Sequence, residues 1–286
     1  MPASLQTIVE TLRKAEAYLA RYGVESPKVE AEWLFAETLG IRRLELFLQH
    51  DRPLDEEQLA TLREQVQRRA AGEPLAYIVG SAAFRDLRLA VRPGVLIPRP
   101  ETEQLVDLVL DGLRGVSSPR VVDLGTGSGA IALAIASECP GARVLAIDAS
   151  AEALRQARAN AEALGLRERV AFRKGDWLTG QAFTADAIVA NPPYLTEEEW
   201  TAAQPHVREH EPREALVAPE GGFADLRRIL AEAFPRLAPG GTVFLESGIA
   251  HAEALRKVAA DRGYTDAAVV RDQHGRERFL SARRPT

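Results

Sequence analysis

The sequence predicts a doubly wound α/β domain, built on a mostly parallel seven-stranded sheet, with a small helical bundle at its N-terminal side. Three observations predict it. From Val121 onward, short apolar runs alternate with helical patterns, which is the signature of parallel βαβ units with helices on both faces. The first of those runs ends in Gly125-Thr126-Gly127-Ser128-Gly129 and opens a helix, as a ligand-binding loop does. Residues 4 to about 71 show helical periodicity alone.

In the bundle, Ser4 is placed to cap a run with Leu5, Ile8, Leu12, Ala15 and Leu19 on one face. Ser26-Pro27 reads as an N-cap followed by a first-turn proline, and Gly40 closes that helix. Ile41 to His50 is a shorter apolar segment, and Asp55 starts a helix that Gly72 ends. Tyr77-Ile78-Val79-Gly80 and Leu87 to Val91 read as two short strands forming a hairpin. The expected organisation is therefore a helical domain at 1–72, a β-hairpin linker at 73–96 and the sheet domain at 97–286. In the last part, strands are expected at 120–124, 142–147, 170–173, 187–190 and 242–246. Helices are expected at 130–138, 151–164 and 223–237, with a closing hairpin at 267–270 and 278–282. Leu195 to Gly222 reads as one long loop, and long loops in such sheets are usually functional.

Composition narrows the partners. The chain has 286 residues, 46% hydrophobic and 27% charged, which suits one standard domain plus an appendage. Its net charge of −5 argues against broad nucleic-acid binding, and residues 1–80 hold thirteen acidic against ten basic residues. The single cysteine, Cys139, excludes an internal disulfide framework and fits a reducing compartment. No run approaches the length of a membrane span, so a cytoplasmic protein is expected.

Asn191-Pro192-Pro193-Tyr194, at the end of the apolar run Ala187 to Ala190, is the candidate catalytic and substrate-binding segment. Asn191 can donate and accept, Pro192 has no N–H and a locked φ that frees its carbonyl, and Tyr194 supplies a flat ring. Two acceptors and a ring can hold a planar –NH2 group. On the cofactor side, Gly125, Gly127 and Gly129 let the backbone approach a ligand, with Thr126 and Ser128 between them. Asp123 precedes the loop, where an acidic group can hold a positively charged ligand. Asp148 ends the next strand, where a carboxylate can accept ribose hydroxyls. Trp177 is placed to pack on an adenine ring. Gly125-x-Gly127-x-x-Ala130 also satisfies the dinucleotide fingerprint, so a dinucleotide-binding oxidoreductase is a competing reading. His206 and His210 have metal-ligand spacing, but Glu209 and Glu211 mark a solvated segment and no metal is expected. Arg99 and Glu101 either cap a helix or line the pocket.

Asp123-x-Gly125-x-Gly127-x-Gly129, Asp148 and Asn191-Pro192-Pro193-Tyr194, in this order, resemble class I S-adenosylmethionine-dependent methyltransferases acting on amide or exocyclic amino nitrogens. Gly72 to Tyr77, Leu96 to Glu103 and Glu211 to Leu216 make the chain similar to the HemK/PrmC family over nearly its whole length. Gly80 to Asp86 departs from that family's pattern around Phe84. The resemblance implies a Rossmann-like fold and methylation of the glutamine amide nitrogen in the Gly-Gly-Gln motif of peptide-chain release factors, serving translation termination. It also implies that Asn191 and the Pro192 carbonyl accept the two amide hydrogens while Tyr194 packs on the amide plane. A monomer is expected, with the N-terminal bundle docking the release factor. Adenine-N6 nucleic-acid methylation and ribosomal-protein glutamine methylation remain alternatives.

Overall fold

The computed structural model describes residues 6–286, and the chain divides into two compact units. One comprises the chain up to Ser81 with Pro205–His210, and the other Ala82–Gln204 with Glu211–Thr286. The stretch expected as a hairpin linker, 73–96, is divided between them, up to Ser81 in the first unit and from Ala82 in the second.

The first unit holds helices α1 (Ile8–Arg21), α2 (Pro27–Leu39), α3 (Arg43–Leu48), α4 (Glu56–Ala70) and α5 (Leu75–Val79). Ser4 and Leu5, expected to start the first helix, lie outside the described residues. Thr7 caps α1 instead, its side chain accepting from the Glu10 N–H while the Glu10 carboxylate accepts from the Thr7 N–H. Pro27 begins α2 and Gly40 ends it in the left-handed region (φ 64°), but Ser26 makes no side-chain capping bond. Asp55 and Gln58 form the same reciprocal cap on α4. Ile8, Leu19, Leu34, Phe35, Leu46 and Leu62 meet in one core.

Tyr77 to Gly80 is not a strand. Tyr77, Ile78 and Val79 end α5, and Gly80 closes it at φ 75°. A short apolar run fits either period. Here Ile78 is buried in the bundle core with Leu75 and Val79 packed beside it, and that burial selects the helix. The hairpin begins later, as β1 (Ser81–Phe84) and β2 (Leu87–Ala90).

The second unit continues with α6 (Pro100–Gly112), β3 (Arg120–Leu124), α7 (Ala130–Glu138), β4 (Arg143–Asp148), α8 (Ala151–Ala163), β5 (Val170–Lys174) and β6 (Ala185–Ala190). The expected loop from Leu195 to Gly222 contains three short helices, α9 (Glu197–Ala202), α10 (Pro205–His210) and α11 (Pro219–Gly222). Then come α12 (Ala224–Ala233), β7 (Leu237–Glu246), α13 (Ala252–Asp261), β8 (Thr265–Arg271) and β9 (Glu277–Arg283). The helix expected to reach Leu237 stops at Ala233, and β7 starts at Leu237. Seven strands form one sheet in the order β5-β4-β3-β6-β7-β9-β8, parallel except that β9 runs against both neighbours.

Alternate residues of β3 enter different cores. Val121 packs with α6 and α7 on one face, and Val122 and Leu124 pack with α12 and α13 on the other. Cys139 is partly buried against the first of these cores, a packing position. Among the described residues no helix is long and apolar enough to cross a membrane.

Candidate active site

The strand order reverses at β3. From it the chain builds outward through β4 and β5 on one side and through β6 and β7 on the other, so a crevice opens where the loops after β3 and β6 part. Leu124 pairs with Ala190, which brings Gly125 and Asn191 out of adjacent strands side by side. A cavity of about 560 Å³ occupies this edge. Gly127, Asp148, Trp177, Asn191, Pro193 and Arg99 are among the residues that line it. Its size falls within the usual range for a small-molecule or cofactor site.

The glycine loop is braced from two sides. Gly125, Gly127 and Gly129 have φ of 68°, 57° and 89°, a region that a side chain strains. At Gly129 a Cβ would also come within 3.0 Å of Leu133 Cδ1 and 3.2 Å of Ala157 Cβ, so only glycine lets α7 start there. The Gly127 N–H donates to Asp148 Oδ2 at 2.9 Å, and the Ser150 N–H donates to Asp148 Oδ1 at 2.8 Å. Burial raises the Asp148 carboxyl above its ordinary range, while these bonds pull it down. Both oxygens keep lone pairs for hydroxyls in the cavity.

Asp123 does not reach the cavity, contrary to expectation. It is fully buried behind the loop, where its Oδ2 accepts from Thr126 Oγ1 at 2.6 Å and from the Ala132 N–H at 3.2 Å. The second bond caps the first turn of α7, whose own N-cap, Gly129, has no side chain to offer. Burial pushes the Asp123 carboxyl up to about 7 against those two bonds, and its Oδ1 has no partner. Asp123 therefore holds the loop rather than the ligand.

Trp177 takes a left-handed backbone conformation (φ 47°), and its indole N–H donates to Asp225 Oδ1 at 2.9 Å. Its ring edge lies 3.3 Å from where a Cβ on Gly125 would sit, so the indole closes one side of the glycine loop. Of the other loop residues singled out, Thr126 and Ser128 line the cavity and Gly129 does not.

In the Asn-Pro-Pro-Tyr segment, Asn191 and Pro193 line the cavity, while Pro192, expected there too, is buried between them and is not a lining residue. Tyr194 departs from expectation because its ring is not among the lining residues. Its hydroxyl donates to Glu246 Oε1 at 3.2 Å and accepts from Arg278 Nη1 at 3.1 Å. Burial, followed by the Glu246 charge, raises the phenol further above its already high range, so it stays a donor. The Asn191 amide nitrogen donates to Thr102 Oγ1 at 3.1 Å.

Arg99 lines the cavity and donates to Glu211 Oε1 at 2.6 Å, while Glu211 Oε2 accepts from the Ile97 N–H at 3.2 Å. Two stretches singled out separately in the sequence, around 96–103 and 211–216, are thus joined by one buried carboxylate. Glu101 lies on Arg276 at 3.4 Å and is not a lining residue. Sequence reasoning missed Thr102, Glu246, Arg278 and Asn160. Asn160 exchanges two hydrogen bonds with the Ala90 backbone and donates a third to the Ser128 carbonyl, tying β2 to the glycine loop. No local signal marks these residues, because the hydrogen bonds that bring Thr102, Glu246 and Asn160 into place reach partners 32 to 144 positions away.

Comparison with known proteins follows the same division. Residues 10–80 match the PrmC N-terminal domain and residues 100–211 the methyltransferase small domain. The chain is 39% identical to a release factor glutamine methyltransferase of Chlorobaculum tepidum, covering 96% of each chain. It is 41% identical to one from Deinococcus radiodurans, over 96% of this chain and 98% of the other. Among solved structures it resembles a ribosomal protein L11 methylase from Lactobacillus delbrueckii subsp. bulgaricus, with a TM-score of 0.50 and 25% identity over 68% of this chain and 84% of that one. A methyltransferase from Pyrococcus furiosus aligns with a TM-score of 0.53 and 19% identity, over 81% of this chain and all of the other, a likeness of fold.

Proposed function

Because this chain belongs to the release factor glutamine methyltransferase family, we propose that it methylates the side-chain amide nitrogen (N5) of the glutamine in the Gly-Gly-Gln motif of peptide-chain release factors, using S-adenosylmethionine. One observation at the site carries the reading: Asn191 lines the same cavity as Asp148, Trp177 and the glycine loop, so an amide grip and a nucleoside cradle share one space.

The residues fit that cofactor. Asp148 offers a carboxylate to ribose hydroxyls, the Trp177 indole offers an apolar plane for an adenine, and the glycine loop leaves its backbone open. When bound, S-adenosylmethionine supplies an electrophilic methyl group on a sulfonium. A primary amide nitrogen is a poor nucleophile, its lone pair being drawn into the carbonyl, so the protein's task is alignment. Asn191 Oδ1 and the Pro192 carbonyl accept the two amide hydrogens and aim the nitrogen, and positioning of this kind can supply roughly 7–11 kcal/mol. The same two acceptors stabilise positive charge growing on nitrogen. Tyr194 serves from behind, through its hydroxyl, rather than as a platform. No general base is required, since the proton can leave to water after transfer.

The helical unit carries recognition of the intact factor. Leu44, Phe47 and Leu48 lie at i, i+3 and i+4 of α3 and are 68%, 50% and 73% exposed, an apolar face turned to solvent. Contacts remote from the methyl help hold the reacting group in place. The cavity is lined by residues of the second unit, which supports a site carried by one chain; the reading is of a monomer in the cytoplasm, where release factors work.

Labelled S-adenosylmethionine, offered with release factor, ribosomal protein and DNA, tests the assignment. Label is expected on the Gly-Gly-Gln glutamine; label on ribosomal protein or DNA in its place overturns it. Changing Leu44, Phe47 and Leu48 together to serine is expected to raise KM for the intact factor about tenfold, the scale of losing one or two buried interface contacts. Weak turnover of a Gly-Gly-Gln peptide should not change, and an unaltered KM on the factor removes α3 from docking.

A further inference from the structure

Glu246 is a buried carboxylate (1% exposed) that the reaction above does not use. It ends β7 and lies within hydrogen-bond distance of groups from two other places in the chain. Thr102 Oγ1, in the first turn of α6, donates to its Oε2 at 2.7 Å. The Tyr194 hydroxyl donates to its Oε1 at 3.2 Å. Arg278 Nη1, on β9, stands 4.0 Å from Oε1 and itself donates to the Tyr194 hydroxyl, while its Nε faces Asp272 at 3.4 Å. Burial raises the Glu246 carboxyl above its ordinary range, against the Thr102 hydroxyl, the Arg278 guanidinium and the Tyr194 hydroxyl, which all favour its ionised, acceptor-only form.

We propose that Glu246 and Thr102 are positioning residues that decide which end of the Asn191 carboxamide faces the substrate, a proposal that rests on the amide-methylation reading above. The argument is a count of protons. A threonine hydroxyl has one proton, and here Glu246 takes it. Toward Asn191, Thr102 Oγ1 then shows lone pairs only. Asn191 must meet it with its –NH2, and does so at 3.1 Å. A carboxamide is planar, with nitrogen and oxygen on opposite sides of its axis. With the nitrogen held on Thr102, Oδ1 is turned the other way, as the acceptor that a substrate –NH2 requires. The reversed carboxamide would set two acceptors face to face. It would also present a donor to the substrate, where two donors repel. The chemistry of Asn191 is thus set by a carboxylate that never touches the substrate.

Glu246→Gln tests this with almost no change of shape. An amide at 246 that donates toward Tyr194 meets a hydroxyl already receiving Arg278, so it donates toward Thr102 instead. Thr102 then gives its proton to Asn191, and the carboxamide reverses. On release factor, kcat is expected to fall about 30-fold, while calorimetric affinity for S-adenosylmethionine stays within about twofold. Thr102→Val is expected to lower kcat similarly, and Thr102→Ser, which keeps the hydroxyl, to recover most of it.

The decisive measurement is Glu246→Gln in an Asn191→Asp background. A carboxylate at 191 has no nitrogen to misplace and needs the Thr102 proton that Glu246 withholds, so there the substitution is expected to leave kcat unchanged or raise it. The same fall in both backgrounds, or no fall in the wild-type background, overturns the proposal. A second readout needs no turnover. The Asn191 side-chain amide resonance, identified by its loss in Asn191→Asp, should shift in Glu246→Gln and in Thr102→Val without any ligand. If that resonance does not move, the carboxamide is not set by Glu246. If the wild-type protein methylates no Gly-Gly-Gln protein, the functional reading fails instead, and the resonance still tests the geometry.

Discussion

The glycine loop after β3 and the Asn-Pro-Pro-Tyr segment after β6 leave neighbouring strands at the same edge of the sheet, yet they are held by different means. The glycine loop is fixed through its backbone: Asp148 accepts the Gly127 N–H, Asp123 accepts the Ala132 N–H, and Asn160 donates to the Ser128 carbonyl. The Asn-Pro-Pro-Tyr segment has one backbone tie, from the Tyr194 N–H to the Leu216 carbonyl, and is otherwise fixed through side chains, Asn191 on Thr102 and Tyr194 on Glu246. The difference follows from what each must present. A cofactor cradle needs bare backbone and one carboxylate, so its supports lie behind it. A grip on an amide needs a particular atom of a particular side chain, so its supports must fix polarity as well as position.

If that contrast holds, damage on the side-chain side reads out in turnover and damage on the backbone side in binding or stability. The largest effect is expected at Asn191. Asn191→Ala should lower kcat by a factor on the order of 10² to 10³, comparable to removing one preorganised polar contact to a transition state. Cofactor affinity and melting temperature should be nearly unchanged. Near-normal turnover on a Gly-Gly-Gln protein would remove Asn191 from the mechanism.

Asp148→Ala is next. Losing charged hydrogen bonds to ribose hydroxyls should weaken S-adenosylmethionine binding by about 1.5–3 kcal/mol, roughly 10- to 150-fold. Removing the acceptor of the Gly127 N–H should loosen the loop as well. Calorimetry that returns wild-type affinity would show that the carboxylate braces the loop without touching the ligand.

Asp123→Asn sharpens the comparison further, because its effect should appear in stability and depend on pH. The native carboxyl titrates at about 7 and the free one near 3.8. Between those values the folded state holds a proton that the unfolded state has lost. The stability contributed by this group is therefore complete below about pH 4 and is lost as pH rises through 7, by about 1.4 kcal/mol per pH unit where the difference is one full proton. Asparagine does not titrate but can still accept from Thr126 and Ala132. Denaturant unfolding of the variant between pH 4 and 7 should lack this slope, and an identical slope in both proteins would place the titration elsewhere.

Much of this molecule was legible along the chain. Alternating apolar runs and helical patterns specify parallel β-strands because each strand is buried on both faces and each crossover needs a helix. The glycines declare backbone that no other residue adopts cheaply, and Asn191 with Trp177 and Asp148 declare polar and aromatic groups at strand ends. What misled was local ambiguity. Tyr77 to Gly80 has too few residues to distinguish a period of two from one of 3.6, and burial in the bundle decided it. Asp123, whose charge suggested a ligand, proved to face α7, since alternate residues of β3 point to opposite sides.

By itself the sequence determined the fold class, the strand, loop and helix units that carry the cavity residues, and the presence of an asparagine at the end of one of those strands. These follow from short-range periodicity and from residue types that few other roles explain. Only the tertiary structure decided which end of Asn191 faces the cavity. That choice depends on a threonine 89 positions away and on a glutamate 144 positions beyond that threonine, brought together because α6 begins where β6 and β7 end. A hydroxyl has a single proton to give, and which neighbour receives it is a property of three dimensions.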